Sequence, residues 1–257
     1  MIRLGLCSGA CITRDIHEVI EMAVAAGLDA VEWAADMHIG AGDLKTAGEA
    51  MIATLMAGLT TASYATLYRA GSSEDEGYSH FDALLGTAST LQAPNMRIYA
   101  CAKEMDELSS ELRGLGDRAA EKGITLCLSM GRGTCLDRYD RAFALVEATR
   151  HDFVRLAWED LPGARPEEAT AALESGSRLA ALIVARCAGR DGKARSISEA
   201  EGAWRSRLRA FKLAEADPKM GSFVLLDAAR AEGEAGNESL AADADALRAL
   251  IAEVAPL

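Results

Sequence analysis

Short apolar runs of strand length alternate eight times with longer stretches of helical period, and this alternation confines the chain to parallel α/β architectures. The strand-like runs are residues 3–7, 29–33, 60–66, 96–101, 125–130, 154–159, 181–186 and 222–227. The first intervening helix shows the punctuation. Thr13 and Asp15 offer caps, Ile16, Val19, Ile20, Ala23 and Val24 make an apolar stripe, and Gly27 stops it. Gly58 and Gly123 end later helices in the same way, and a last helix over residues 237–254 packs back on the sheet.

Two arrangements share this alternation: a doubly wound open sheet and a closed (β/α)8 barrel. The turn after the first strand, Cys7-Ser8-Gly9-Ala10-Cys11, lacks the GxGxxG spacing by which a dinucleotide fold brings its backbone against a pyrophosphate. No Pro-, Gly- or Ser-rich linker divides the chain, and 257 residues, half of them apolar, suit one barrel. The expected fold is therefore a single-domain (β/α)8 TIM barrel covering residues 1–257.

A formal charge of -12 opposes a nucleic-acid partner, whose phosphates demand clustered Lys and Arg. No apolar run approaches the roughly 20 residues needed to span a bilayer, and residues 1–10 read as a strand and its loop rather than a signal peptide, so a cytoplasmic protein is expected. The six cysteines, at 7, 11, 101, 127, 135 and 187, are scattered and read as reduced thiols without a zinc site.

In a parallel barrel every strand delivers its last inward residues to one rim, so function is sought at the strand C-termini. The polar residues there are Glu32, with His38 and Asp43 in the following loop, then Tyr64, Tyr68 and Arg69, then Arg97 and Tyr99. The later strands add Ser129, Glu159 with Asp160, Arg186 and Asp227. Hydroxyls, guanidinium forks and carboxylates together suit a polyhydroxylated or anionic small molecule. An inward Glu32 needs a partner inside the barrel, and Arg97 or Arg3 supplies one, with Arg97 the natural choice. The basic stretch Gly189-Arg190-Asp191-Gly192-Lys193-Ala194-Arg195 reads either as a phosphate-binding loop or as a solvated turn. His17, His80 and His151 fall on helices or helix ends and read as surface residues.

Four segments carry a resemblance. Gly27-Leu28-Asp29-Ala30-Val31-Glu32-Trp33, the HIGAGD run from His38 to Asp43, Ser63-Tyr64-Ala65-Thr66-Leu67-Tyr68-Arg69-Ala70-Gly71, and Ala93-Pro94-Asn95-Met96-Arg97-Ile98 are similar to the sugar-phosphate isomerase/epimerase, or xylose-isomerase-like, barrels. The resemblance implies a pocket-facing His38, substrate contacts from Glu32, Tyr64, Tyr68, Arg69 and Arg97, a sugar or keto-polyol substrate, and a dimer or tetramer. Such barrels usually hold a divalent metal between carboxylates from strands five, six and eight and a histidine on strand seven. Here Ser129 stands at the strand-five position and Ile183 at the histidine position, followed by Arg186, leaving Glu159 and Asp227. Two carboxylates beside a guanidinium supply too few ligands for a hard cation, so no metal or other cofactor is expected.

Glu159 and Asp227 are then the acid/base candidates, while Ser129 and Arg186 join the substrate contacts. Two readings stay open: an isomerase or epimerase with an altered, metal-poor site, or a non-catalytic relative that binds a small ligand or a partner chain in an inherited pocket. A nuclease of the same barrel type is disfavoured by four scattered histidines and an acidic chain.

Overall fold

The computed structural model of the chain describes residues 1–72, 77–101, 103–131, 134–185, 196–213, 222–227 and 233–254, the side chains of 77–79 and 233–236 excepted. Eight parallel strands close into one barrel in sequence order: β1 (Ile2–Cys7), β2 (Ala30–Ala34), β3 (Thr60–Ala70), β4 (Asn95–Ala100), β5 (Thr125–Ser129), β6 (Val154–Trp158), β7 (Ala180–Ala185) and β8 (Ser222–Leu226). β8 returns to β1 in register from Ile2 opposite Ser222 to Leu6 opposite Leu226, which closes the ring. The helices alternate with the strands: α1 (Ile16–Ala25), α2 (Leu44–Met56), α3 (Gly77–Thr90), α4 (Met105–Ala120), α5 (Tyr139–Thr149), α6 (Pro166–Gly176), α7 (Glu201–Leu213) and α8 (Gly233–Val254). Among the described residues no helix is long and apolar enough to cross a membrane.

Every run read as a strand is one. The largest departure is β3, which continues to Ala70 because its ladder with β4 shifts register between Ala65 and Arg69 and then resumes, Arg69 opposite Tyr99. The extra residues let β3 regain its partner instead of ending. Local signals set the helix boundaries. Asp15 accepts from the amides of His17 and Glu18 at 2.9 Å, while Glu18 reaches back to the Asp15 amide, a reciprocal cap for α1. Gly27 ends the same unit at φ +64°, a conformation that other residues adopt at a cost. The buried face of α1 is Val19, Ile20, Met22 and Ala23, whereas Val24 turns to solvent.

The two-residue period of each strand sorts side chains into two layers. Leu4, Leu6, Val31, Trp33, Met96, Ile98, Leu126 and Leu128 face the helices and join the large outer core. A second apolar cluster fills the barrel itself, with Ala30, Ala62, Ala157, Leu182, Phe223 and Leu225 among its members. Arg3 covers the Phe223 ring at 4.3 Å and donates to Thr60, so the floor carries a guanidinium stacked on an aromatic face.

Gly5 lies on the inward row between Arg3 and Cys7, where a Cβ would stand 2.8 Å from Leu225 and 3.2 Å from the Ala30 carbonyl. Leu225 is fully buried, so its retreat must displace other side chains of a close-packed interior. Gly5→Ala is expected to destabilise the barrel by about 1–3 kcal/mol, read as a lower urea midpoint at unchanged m-value.

Candidate functional site

The inward row that ends at the C-terminal mouth is polar on one side. β2 presents Glu32, whose register neighbour on β3 is Ser63, β4 presents Arg97, and β5 presents Ser129. Arg97 Nη1 donates to Glu32 Oε1 at 2.8 Å and its Nε donates to the Ser129 hydroxyl at 3.2 Å. All three residues are buried, so the ion pair sits inside the barrel rather than on its surface. Arg97 is thus the partner of Glu32 that the sequence names.

Burial disfavours the Arg97 charge, but Glu32, with weaker help from Cys7, Glu159 and Tyr99, more than offsets it and raises the guanidinium above its ordinary value. Arg97 is a permanent cation inside the barrel. Glu159, buried at the end of β6, acts on it electrostatically, and Asp227, just beyond β8, acts on the Cys7 thiol. The structure therefore brings Glu32, Arg97, Ser129, Glu159 and Asp227 to one mouth. Cys7, read from sequence as a thiol without a role, lies among them. Burial pushes it well up, with Glu32 and Asp227 adding to the effect. Its place was legible in the alternation Arg3, Gly5, Cys7 along β1.

Other candidates stand elsewhere. Tyr64 shares the outward row with Trp33 and Met96, is fully buried, and donates its hydroxyl to the Ile39 carbonyl at 2.7 Å. Tyr68 packs on Phe81 and His80 of α3. Both tyrosines fasten β3 to its loop and helix instead of pointing into the barrel. Arg69 stacks over Tyr99 at 5.3 Å, where the β3 ladder resumes. Asp43 caps α2 by accepting from the Thr46 amide at 3.0 Å, and Asp160 pairs with the buried Arg207 of α7 at 3.0 Å. Arg186, and the basic stretch after it, lie outside the described residues.

His38 joins the β2–α2 loop to the β1 exit. Its Nε2 faces the Arg14 carbonyl at 3.1 Å, which only accepts, so Nε2 carries the proton. Nδ1 then accepts from the Ser8 hydroxyl at 3.1 Å, and Ser8 in turn accepts from the Ala34 amide at 2.9 Å. This chain holds a neutral imidazole, and burial lowers its pKa. One flank of His38 borders an apolar groove between α1 and α2, lined by Met37, Ile52 and Met56.

The described residues at the mouth do not make a ligand set for a divalent cation. Ser129 at the end of β5 is committed to Arg97, and β7 turns Leu182 and Val184 inward. Ile183, placed by the resemblance at the histidine position, faces the helices, because its register neighbour Val224 lies on the outer row. Val184, one residue on, is the side chain that looks into the mouth. Among the described residues no three His, Cys, Asp or Glu side chains converge in a way that could hold a metal ion.

These features define a (β/α)8 barrel with a carboxylate- and guanidinium-bearing mouth. The sequence matches no protein-family model and no curated protein. Solved structures are similar over most of this chain. A D-psicose 3-epimerase from Clostridium cellulolyticum H10, solved with D-tagatose, superposes with a TM-score of 0.75 at 13% identity, over 97% of this chain and 99% of that one. A protein described as a probable 3-DHS dehydratase from Bacillus anthracis gives 0.73 at 12% identity, over 96% and 98%. A xylose isomerase-like TIM barrel protein from Mycobacterium smegmatis, in complex with magnesium, gives 0.66 at 16% identity, over 93% and 89%. The chain has the fold of the xylose isomerase-like TIM barrels.

Two measurements follow. Arg97→Met leaves the Glu32 carboxylate buried without its partner and is expected to cost about 3–5 kcal/mol, whereas Glu32→Gln combined with Arg97→Met recovers much of that loss. Chemical denaturation of the two single variants and the double variant reads the coupling. For His38, a folded pKa below the ordinary 6.5 means that the unfolded chain binds the extra proton first. Its contribution is present above about pH 6.5 and is lost as the pH falls through the lower folded value. The thermal midpoint is expected to fall more steeply on acidification in the wild type than in His38→Gln.

Proposed function

We propose that this protein is an isomerase- or epimerase-type enzyme that moves a carbon-bound proton on a polyhydroxylated or anionic small molecule, such as a sugar, sugar phosphate or keto-polyol, without a tightly bound metal. The observation that carries this reading is the delivery of Glu159 by β6 and Asp227 by β8 to the mouth that already holds the fixed guanidinium of Arg97. Glu159 and Asp227 exchange the proton as general base and general acid. Arg97 steadies the negative charge that develops on the oxygen of an enediolate-like intermediate, the task a metal performs in other enzymes. Arg186 is assigned to the same anionic end of the ligand.

Two orphaned atoms support a hydroxylated ligand. Glu32 Oε2 and the Ser63 hydroxyl are buried register neighbours on the inward row, and neither makes a hydrogen bond of ordinary geometry, the weak donor Cys7 being the thiol nearest the Glu32 carboxylate. A hydroxyl group can donate to the first and either donate to or accept from the second, which satisfies capacity that is otherwise expensive to bury. The inward Leu182 and Val184 favour a second reading, a binding protein that has lost its chemistry, because β7 contributes no reactive group there.

Incubation with keto-sugars, sugar acids and their phosphates in deuterated water, followed by NMR, separates the two. The enzyme reading expects deuterium at a carbon position, a loss of at least about 100-fold in that exchange for Asp227→Asn, and exchange unaffected by a chelator. Wild-type turnover in Asp227→Asn removes Asp227 from the mechanism, and chelator sensitivity restores a metal. Thermal stabilisation by one of these compounds, with no exchange, selects the binding protein.

A further inference from the structure

Cys101 follows β4 directly and donates its amide to the Ala70 carbonyl of β3 at 2.8 Å. On the other side, the Ala100 carbonyl accepts the Cys135 amide at 2.9 Å. This bond brings the Cys135 backbone against the peptide unit that joins Ala100 to Cys101, and cysteines joined by a disulfide have Cα atoms about 4.4–6.8 Å apart, a separation within reach of residues whose backbones are hydrogen-bonded so closely. Both thiols are free and half-buried, and Cys101 contributes to the environment of the Cys135 thiol. The other described cysteines differ. Cys7 and Cys127 are sealed inside the barrel, and Cys11 is buried in the outer core.

We propose that Cys101 and Cys135 form a reversible disulfide across the exits of β4 and β5, at the rim of the barrel mouth. With a low-molecular-weight disulfide as oxidant, the Cys101 thiolate attacks one of its sulfurs and expels the first small thiolate. The Cys135 thiolate then attacks the Cys101 sulfur and expels the second. The protein loses two protons and two electrons, and the oxidant is reduced to two thiols. Burial pushes the Cys135 thiol up and lowers its thiolate fraction, so the second, intramolecular step relies on the proximity of the two sulfurs.

The link staples the segment after β4 to the loop after β5. Along β4 the inward row runs Arg97, Tyr99, Cys101, so the staple closes the row directly above the buried cation. Its effect on ligand access rests on the function proposed above; its formation does not.

The full-length protein is treated with oxidised glutathione, blocked with N-ethylmaleimide and digested without reduction, and its peptides are weighed. The expected product joins the peptides of Cys101 and Cys135, is lighter than their sum by two hydrogens, and separates on treatment with dithiothreitol. Cys135→Ser is expected to retain glutathione on Cys101, because the second step is missing. Oxidised wild type in which both cysteines stay free, pair elsewhere, or keep glutathione on Cys101 beside a free Cys135 overturns the proposal. None of these masses depends on turnover, so a wrong substrate class leaves the result readable.

Discussion

A guanidinium inside a barrel must be met by charge and hydrogen bonds, because the low-dielectric interior gives it nothing else. Arg97 meets that demand through Glu32 and Ser129, drawn from strands on either side of it. The pair thereby fixes the relative placement of β2, β4 and β5 at their functional ends. It also holds a fixed positive charge at the mouth. The chemistry of the mouth follows from this one contact: carboxylates arrayed round a cation that cannot leave.

The remaining inward positions divide the barrel. From β2 to β5 the row carries Glu32, Ser63, Asn95, Arg97 and Ser129, with Asn95 donating to the Ala62 carbonyl at 2.9 Å. Across the barrel, β7 and β8 contribute Leu182, Val184, Phe223 and Leu225. Among the described residues of these two strands and their exits, polar capacity returns where β8 ends, at Asp227. The apolar sector supplies the close packing that keeps the ring shut. The polar sector tolerates burial because its members bond one another.

Much of the fold was legible because period and punctuation agreed along the whole chain. Each strand-length run was followed by a stretch of helical period, and Asp15 and Gly27 show the boundary signals of the first helix working in detail. The Glu32–Arg97 pair was legible for a related reason: opposite charges inside the apolar strands of one barrel must find each other, here across β3. The orientation of particular side chains was less legible. Ile183 and Val184 are both apolar, so nothing in β7 says which of them looks inward, and only the pairing with β8 decides it. Tyr64 and Tyr68 carry polar tips that suit a pocket as well as they suit a buried bond to Ile39 or a stack on α3. The neighbourhood of Cys101 and Cys135 depends on a backbone hydrogen bond between segments separated by α4 and β5, which no spacing in the sequence encodes.

The division of the barrel wall has a geometric consequence. Under the function proposed above, a ring-shaped guest with hydroxyls along one edge and bare C–H groups on its opposite face would meet a polar arc from β2 to β5 and an oily arc from β7 and β8. Turning it over would set hydroxyls against Val184 and leave Glu32 and Ser63 facing C–H groups. A wall divided in this way would tell top from bottom in a molecule that is nearly symmetric in outline, before any proton moves.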